Sequence, residues 1–205
     1  MSRIITISRE FGSGGKEVGK RLSDRLGIPY YDSEIITEIA KETGLSEEYI
    51  KNISEKGVYP TAFQFGKTFA SFGAMQNNQT EILVKQQEVL KKIAEKGDAI
   101  IVGRGADVIL KAYNPMNIFM FANMESKINR CKLKAKEDEN LSDKELEKKI
   151  NQVDKGRKNF YSIISGAEWG AKENYNLLIN TSDIEIKTII PSLTEYIENW
   201  FRRSE

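Results

Sequence analysis

The sequence has no histidine and a single cysteine, Cys131, among its 205 residues. Those two counts exclude a Ser-His-Asp or Cys-His nucleophile system. They also exclude a His-ligated metal centre, a zinc finger and an HExxH metalloprotease. One cysteine cannot close an intrachain disulfide, which fits a reducing compartment. Neither sign of charge prevails: 31 basic residues face 30 acidic ones, a net charge of +1. A general nucleic-acid binder would show a basic surplus. Long hydrophobic runs are missing as well. Those present, such as Ala99-Ile-Ile-Val102, are strand-sized, against the ~20 residues that span a bilayer. The run Ile4-Ile-Thr-Ile7 is interrupted by Arg9 and Glu10, so it does not read as a signal segment. The expectation is a cytoplasmic protein with neither nucleic acid nor membrane as partner.

What is present fits one soluble globular domain, or one domain with an insert: 40% hydrophobic and 30% charged residues, in a chain long enough to bury a core unaided. Acid, base and charge work falls to Lys, Arg, Asp, Glu, hydroxyls and backbone amides.

Arg3 to Ser8 reads as a short buried strand, followed by the cluster Gly12-Ser-Gly-Gly15 and a helix from about Lys16 to Leu26. Ile28 to Tyr31 reads as a second strand, with Asp32 or Ser33 capping the helix after it. Residues from about 34 to 96 read as mostly helical, with Ile82, Gln86, Val89 and Ile93 on one stripe. Further strands are expected at Ala99–Gly103, Asn117–Ala122 and Tyr175–Asn180. Two charged helices lie between about 124 and 166, the second opened by a capping box at Ser142-Asp-Lys-Glu145. Another such box, Ser182-Asp-Ile-Glu185, is expected to open the last helix. Apolar strands alternating with helices predict a parallel sheet covered on both faces.

A strand, then glycines, then a helix start is the architecture of a phosphate-binding loop. Glycines let amides turn inward, and the helix N-terminus adds a positive dipole end. The Walker pattern GxxxxGK[ST] is not met in full. With Lys16 as its lysine, Glu10 falls in the first glycine position and Glu17 in the Ser/Thr position. One residue back, Gly12-Ser13-Gly14 matches the usual glycines, while Gly15 takes the lysine slot and Lys16 the hydroxyl slot. Gly12, Ser13, Gly14, Gly15, Lys16 and Glu17 are the candidate cofactor-binding residues, and both registers stand at this point. Neither register gives a P-loop hydroxyl for Mg²⁺, which phosphates and waters can hold instead. No side chain is assigned as a metal ligand.

Lys127, Arg130 and Lys134 recur at i, i+3, i+7, one face of a helix. In the next helix the apolar stripe Leu146, Ile150, Val153, Phe160, Ile164 is interrupted by Arg157. A guanidinium facing a partner surface needs an anion: either Asp154, three residues earlier, or a bound phosphate. Gly103-Arg-Gly105 follows the third strand, which places Arg104 where parallel sheets bind ligands. A turn arginine paired with Asp107 is the alternative. Phe63, Phe65, Phe69 and Phe72 are expected to form a small core within the first helical stretch.

Taken in order, Ile5–Lys16, Leu26–Asp32, Ile101–Asp107, Ile118–Ala122, Asp154–Tyr161 and Asn174–Thr181 resemble the bacterial cytidylate kinases. They resemble more closely the cytidylate-kinase-like proteins related to them. The resemblance covers nearly the whole chain. It implies an α/β P-loop NTPase fold of the nucleoside monophosphate kinase type. That fold has a five-stranded parallel core (about 1–32, 97–124 and 171–205), a helical monophosphate-binding insert (about 33–96) and a lid (about 125–170). It implies phosphorylation of CMP or dCMP by ATP with Mg²⁺, in a monomer or homodimer acting on nucleotide small molecules. Carried over, the glycine loop and Lys16 meet ATP, Arg104 and Asp32 meet the acceptor, and Arg130 and Arg157 close from the lid onto the transferring phosphoryl. This chain departs from the cytidylate kinases at three positions. Gly15 stands in the lysine slot, Val102 replaces an acid before Gly-Arg, and Gly105 replaces an aspartate after it. Lys16, one position later, and Arg9 are the cations offered in place of the lysine. A non-catalytic nucleotide-binding sensor or regulator, or a kinase for another small acceptor, are the competing readings.

Overall fold

The computed structural model describes residues 2–48, 50, 69–135 and 141–202, without the side chains of 69–79. The phenylalanine cluster of the first helical stretch lies outside these described residues and side chains.

Five strands, β1 (Ile4–Arg9), β2 (Tyr30–Tyr31), β3 (Ala99–Val102), β4 (Met116–Phe121) and β5 (Leu177–Asn180), form one sheet. Their order is β2-β3-β1-β4-β5 and every pairing is parallel. The helices are α1 (Gly15–Leu26), α2 (Glu34–Thr43), α3 (Phe69–Lys96), the short α4 (Ala106–Ile109), α5 (Met124–Lys134), α6 (Asp143–Ser165) and α7 (Ile186–Arg202). Among the described residues, no helix is long and apolar enough to cross a membrane.

Alternation along each strand explains the two cores. Ile4 and Ile101 point to one face with Ile35, Ile39, Val89 and Leu90. Ile5, Ile7, Ile100, Val102 and Ile118 point to the other with Val18, Leu22, Ile190 and Leu193. Each such fully buried side chain contributes roughly 1.5–3 kcal/mol. The sheet is apolar on both sides, so the strands read as continuous hydrophobic runs.

The central strand β1 is flanked by β3 on one side and β4 on the other. The chain's order along the sheet therefore reverses at β1, and the crevice beyond its carboxyl end is where open α/β sheets bind ligands. The glycine loop begins there.

Gly19 lets α1 lie close to the sheet. An added Cβ would sit 2.8 Å from Val102 Cγ2 and 3.0 Å from Tyr30 Cε2. Gly19→Ala is expected to lower stability by about 1–3 kcal/mol through overpacking, outweighing the roughly 1 kcal/mol that alanine gains in a helix. A lower urea midpoint with an unchanged m-value is the measurement expected.

The capping box at Ser142 forms as read: its side chain accepts from the Glu145 amide and Glu145 reaches back. The one at Ser182 does not. The Ser182 hydroxyl donates to Asn180 Oδ1 and accepts from the Asn123 amide. Asp183 takes a left-handed φ of 56°, and α7 starts only at Ile186. Ser182 thus ties the end of β5 to the start of α5 instead of opening a helix.

Candidate active site

The loop after β1 turns through Gly12 (φ 80°) and Gly14 (φ 85°), a conformation open to glycine and strained for other residues. Helix α1 starts immediately after Gly14. In a strand–GxxxxGK[ST]–helix unit the lysine follows the last loop glycine, so the structure selects the register with Gly15 in the lysine slot and Lys16 in the hydroxyl slot. The first intrahelical bond runs from the Val18 amide to the Gly14 carbonyl. The amides before it, up to Glu17, have no intrahelical acceptor. Ser13 is fully buried and points inward, its hydroxyl donating to the Glu10 carbonyl and its carbonyl accepting from Thr181 Oγ1. The loop is thus braced from below, and its glycines and the first turn of α1, whose amides lack intrahelical acceptors, line the crevice, an arrangement suited to phosphate oxygens.

Asp32 directly follows β2 and is buried at the rim of this crevice. Its carboxylate meets Lys16 Nζ at 2.8 Å and Arg9 Nη2 at 3.7 Å. Arg9 is the last residue of β1. Burial, foremost, and the nearby Asp32 charge push the Tyr30 phenol up beyond its ordinary range.

Gly103, Arg104 and Gly105 are three consecutive left-handed residues (φ 75°, 61° and 62°). The turn holds Arg104 buried, and its carbonyl accepts from Gln86 Nε2 of α3 at 2.9 Å. The sequence offered Gln86 only as a member of an apolar stripe. An uncharged polar residue at a core position of that stripe was the available signal. Gly105 sits in a left-handed turn where an added Cβ would lie 2.1 Å from Ile164 Cδ1 of α6, so any side chain there requires Ile164 to shift. A small cavity of about 30 Å³ lies between Arg9, Arg104 and Arg157, walled by Ser8, Tyr161 and Trp169.

The three cations of α5 do not share one role. Lys127 is buried, held by Glu10 at 2.5 Å and Asp154 at 3.5 Å. Arg130 donates to the carbonyls of Gly12, Thr181 and Ile184, and burial pulls its pKa down. Placed so, it clasps the outer side of the glycine loop to the segment after β5. Lys134 pairs with Glu17 at 2.8 Å. That bond and the one from Arg21 hold the Glu17 carboxyl below its usual range.

Arg157 resolves into a mixed case. Asp154 lies 3.7 Å from it, so an internal anion is present. Asp154 also accepts from the Phe11 amide at 2.7 Å, and burial raises its pKa in spite of these partners. Arg157 Nη1 donates to the Arg9 carbonyl at 2.9 Å, and its guanidinium lies over the Phe11 ring at 5.8 Å. It therefore stands at the glycine loop on the crevice side. Arg9, Gly14, Lys16, Asp32, Arg104, Arg130 and Arg157 all line one cleft of about 1200 Å³, of a size that holds a nucleotide with room for a second ligand.

Mg²⁺ finds little support from this chain. The hydroxyl slot holds the Lys16 ammonium, and Asp32 is engaged by Lys16 and Arg9. Among the described residues no group of three or more His, Cys, Asp or Glu side chains is gathered to hold a metal. The donor set does not fit a protein-held Mg²⁺.

The model of the cytidylate kinase-like family matches residues 4–183. No curated protein sequence matches the chain. Among solved structures, an uncharacterized protein from Eubacterium ventriosum superposes with a TM-score of 0.71 at 26% identity, over 97% of this chain and 99% of that one. Shikimate kinase from Bacteroides thetaiotaomicron gives 0.57 at 16% identity, over 97% and 99%. A gluconokinase from Sinorhizobium meliloti gives 0.55 at 11%, over 100% and 98%. The last two establish kinship of fold alone. With the glycine loop at the reversal point of a five-stranded parallel sheet and a family match spanning most of its length, the chain belongs to the cytidylate kinase-like family.

Proposed function

We propose that the protein transfers the γ-phosphoryl group of ATP to a nucleoside monophosphate, CMP or dCMP. The observation that carries this reading is one cleft lined by the glycine loop at the start of α1 together with Arg9, Arg104 and Arg157. The glycine loop receives the ATP phosphates. Arg104 and Asp32 orient the acceptor, and segment 125–170 acts as a lid that brings Arg157 in and excludes water. Segment 33–96 forms the acceptor side. In the transfer, the bond from the γ-phosphorus to the bridging oxygen breaks, leaving ADP, and a bond to an oxygen of the acceptor phosphate forms. That oxygen is largely anionic at neutral pH, so the step needs no histidine base. Positioning and charge neutralisation suffice. Mg²⁺ enters with the nucleotide, carried on its phosphates and waters.

A second reading has its own observation. Glycine in the lysine slot and Val102 in place of an acid also suit a nucleotide-binding regulator without turnover. The test offers ATP and Mg²⁺ with CMP, dCMP, UMP, AMP or GMP and follows ADP formation. Turnover with CMP or dCMP alone supports the proposal. Turnover with another acceptor corrects the acceptor. Tight ATP binding without turnover favours the regulator, and absence of both removes both readings.

A further inference from the structure

We propose that Arg9 is the phosphate-facing cation of the glycine loop, and that it has exchanged places with the lysine: the cation sits at the loop's first position and the glycine at its last. The inference rests on the ATP-binding reading above and adds a residue to it. In the register fixed by the start of α1, counting back through GxxxxGK[ST] puts Arg9 in the first glycine slot and Gly15 in the lysine slot. Each of these two positions holds the kind of residue expected at the other.

The structure shows why the two changes belong together. An added Cβ on Gly15 would lie 2.6 Å from Arg9 Cβ and 2.9 Å from Arg9 Cγ. These are the stem atoms nearest the backbone, which cannot swing away as a side-chain tip can. A lysine at 15 and an arginine at 9 therefore compete for the same space. From Gly15 the Arg9 side chain continues across the mouth of the crevice to the turn after β3. There its Nη1 would be 1.6 Å from an added Cβ on Gly103, and its Nη2 faces Asp32 at 3.7 Å. Its own carbonyl accepts from Arg157. The guanidinium thus lies between the turn after β3 and the acceptor-side aspartate, with 14% of its side chain exposed, and Arg9, Arg104 and Arg157 line one cavity. Lys16, the alternative, is 69% exposed and pairs with the other carboxylate oxygen of Asp32. A planar guanidinium fixed in this way can present two donors to neighbouring phosphate oxygens, and a charge that needs no rearrangement stabilises the transferring group best.

Three variants and a reference test this: Arg9→Gly, Gly15→Lys, the double variant Arg9→Gly/Gly15→Lys, and Lys16→Ala. ATP·Mg²⁺ affinity by calorimetry, ADP formation and thermal unfolding are followed for each. Arg9→Gly is expected to lose about 10²–10³-fold in turnover, with weakened ATP binding. Gly15→Lys alone is expected to unfold at lower temperature. The double variant should recover most of that thermal loss and regain roughly tenfold or more of the turnover lost in Arg9→Gly. The thermal part of the cycle needs no ligand, so it reads the steric exchange even where a single variant is inactive. Arg9→Gly binding and turning over as well as wild type, Lys16→Ala losing as much as Arg9→Gly, or a double variant no better than either single overturns the exchange alone. A wild-type protein that fails to bind ATP overturns the kinase reading and the exchange with it.

Discussion

Arg157→Ala is expected to lower turnover by about 10³-fold, in the range of an arginine that neutralises a transferring phosphoryl group. Three contacts converge on this side chain: the Arg9 carbonyl, the Phe11 ring and Asp154. Together they set its guanidinium at the glycine loop, although the residue belongs to a helix far along the chain. The fold should survive the change. Asp154 keeps the Phe11 amide and Lys127 as partners, so no buried carboxylate is stranded, and a loss of about 1–2 kcal/mol in stability is expected. Arg157→Lys should recover little, because an ammonium supplies one point charge where a fork is needed. Single-turnover rates alongside urea midpoints check both parts. Turnover within about tenfold of wild type would reduce Arg157 to a tie between α6 and the loop.

That contrast also shows what could be read in the chain and what could not. Interruption of the α6 stripe marked Arg157, because a cation on an apolar face demands an anion. Spacing could not choose between Asp154 and a ligand, since both lie within reach and the structure engages Asp154 without withdrawing the arginine from the cleft. The parallel sheet and its two-sided core followed from apolar runs separated by helices; the order of the strands did not. The register of the glycine loop did not. It depends on where the helix starts, and glycine at both 14 and 15 leaves that open in one dimension. Lys127, Arg130 and Lys134 share a helical face, yet burial differs steeply along it, from the sealed Lys127 to the exposed Lys134. Helical periodicity gives direction but not depth. Ser182 carried a capping-box spacing that the chain does not use, because its hydroxyl is taken by Asn180 and Asn123 from outside the local segment. Gly105 had a missing acid as its only signal. Its setting is a left-handed turn packed against Ile164, distant in sequence and in contact in space.

A second large effect is expected at Asp107. Asp107→Asn should stabilise the protein above pH 7 by about 3 kcal/mol and change little at pH 4. The carboxylate is 5% exposed in the short helix behind the Arg104 turn. The hydroxyls of Ser8 and Tyr161 and the amides of 107 and 108 face it and favour its ionised form, but desolvation outweighs them and pushes its pKa up from 3.8 to about 6. None of these groups makes a well-directed hydrogen bond to either carboxylate oxygen. Tyr175, packed against Tyr161, also faces it, and burial raises both phenols. Because the folded pKa lies above the unfolded one, the folded state binds the proton more tightly. Its contribution is therefore complete below pH 4 and lost as pH rises through 6. About two pH units at 1.36 kcal/mol each give the expected size. Carboxyls held below their usual range, such as Glu17, bend the profile the other way, so the quantity to measure is the difference between variant and wild type in urea midpoints from pH 4 to 8. A difference that does not grow between pH 5 and 7 would refute the assignment. The same chemistry bears on the site. Ser8 and Tyr161 wall the cavity between Arg9, Arg104 and Arg157, so as the pH falls through 6 the neutralised Asp107 behind that wall leaves more of the field of the three guanidiniums available to an anion in the cleft.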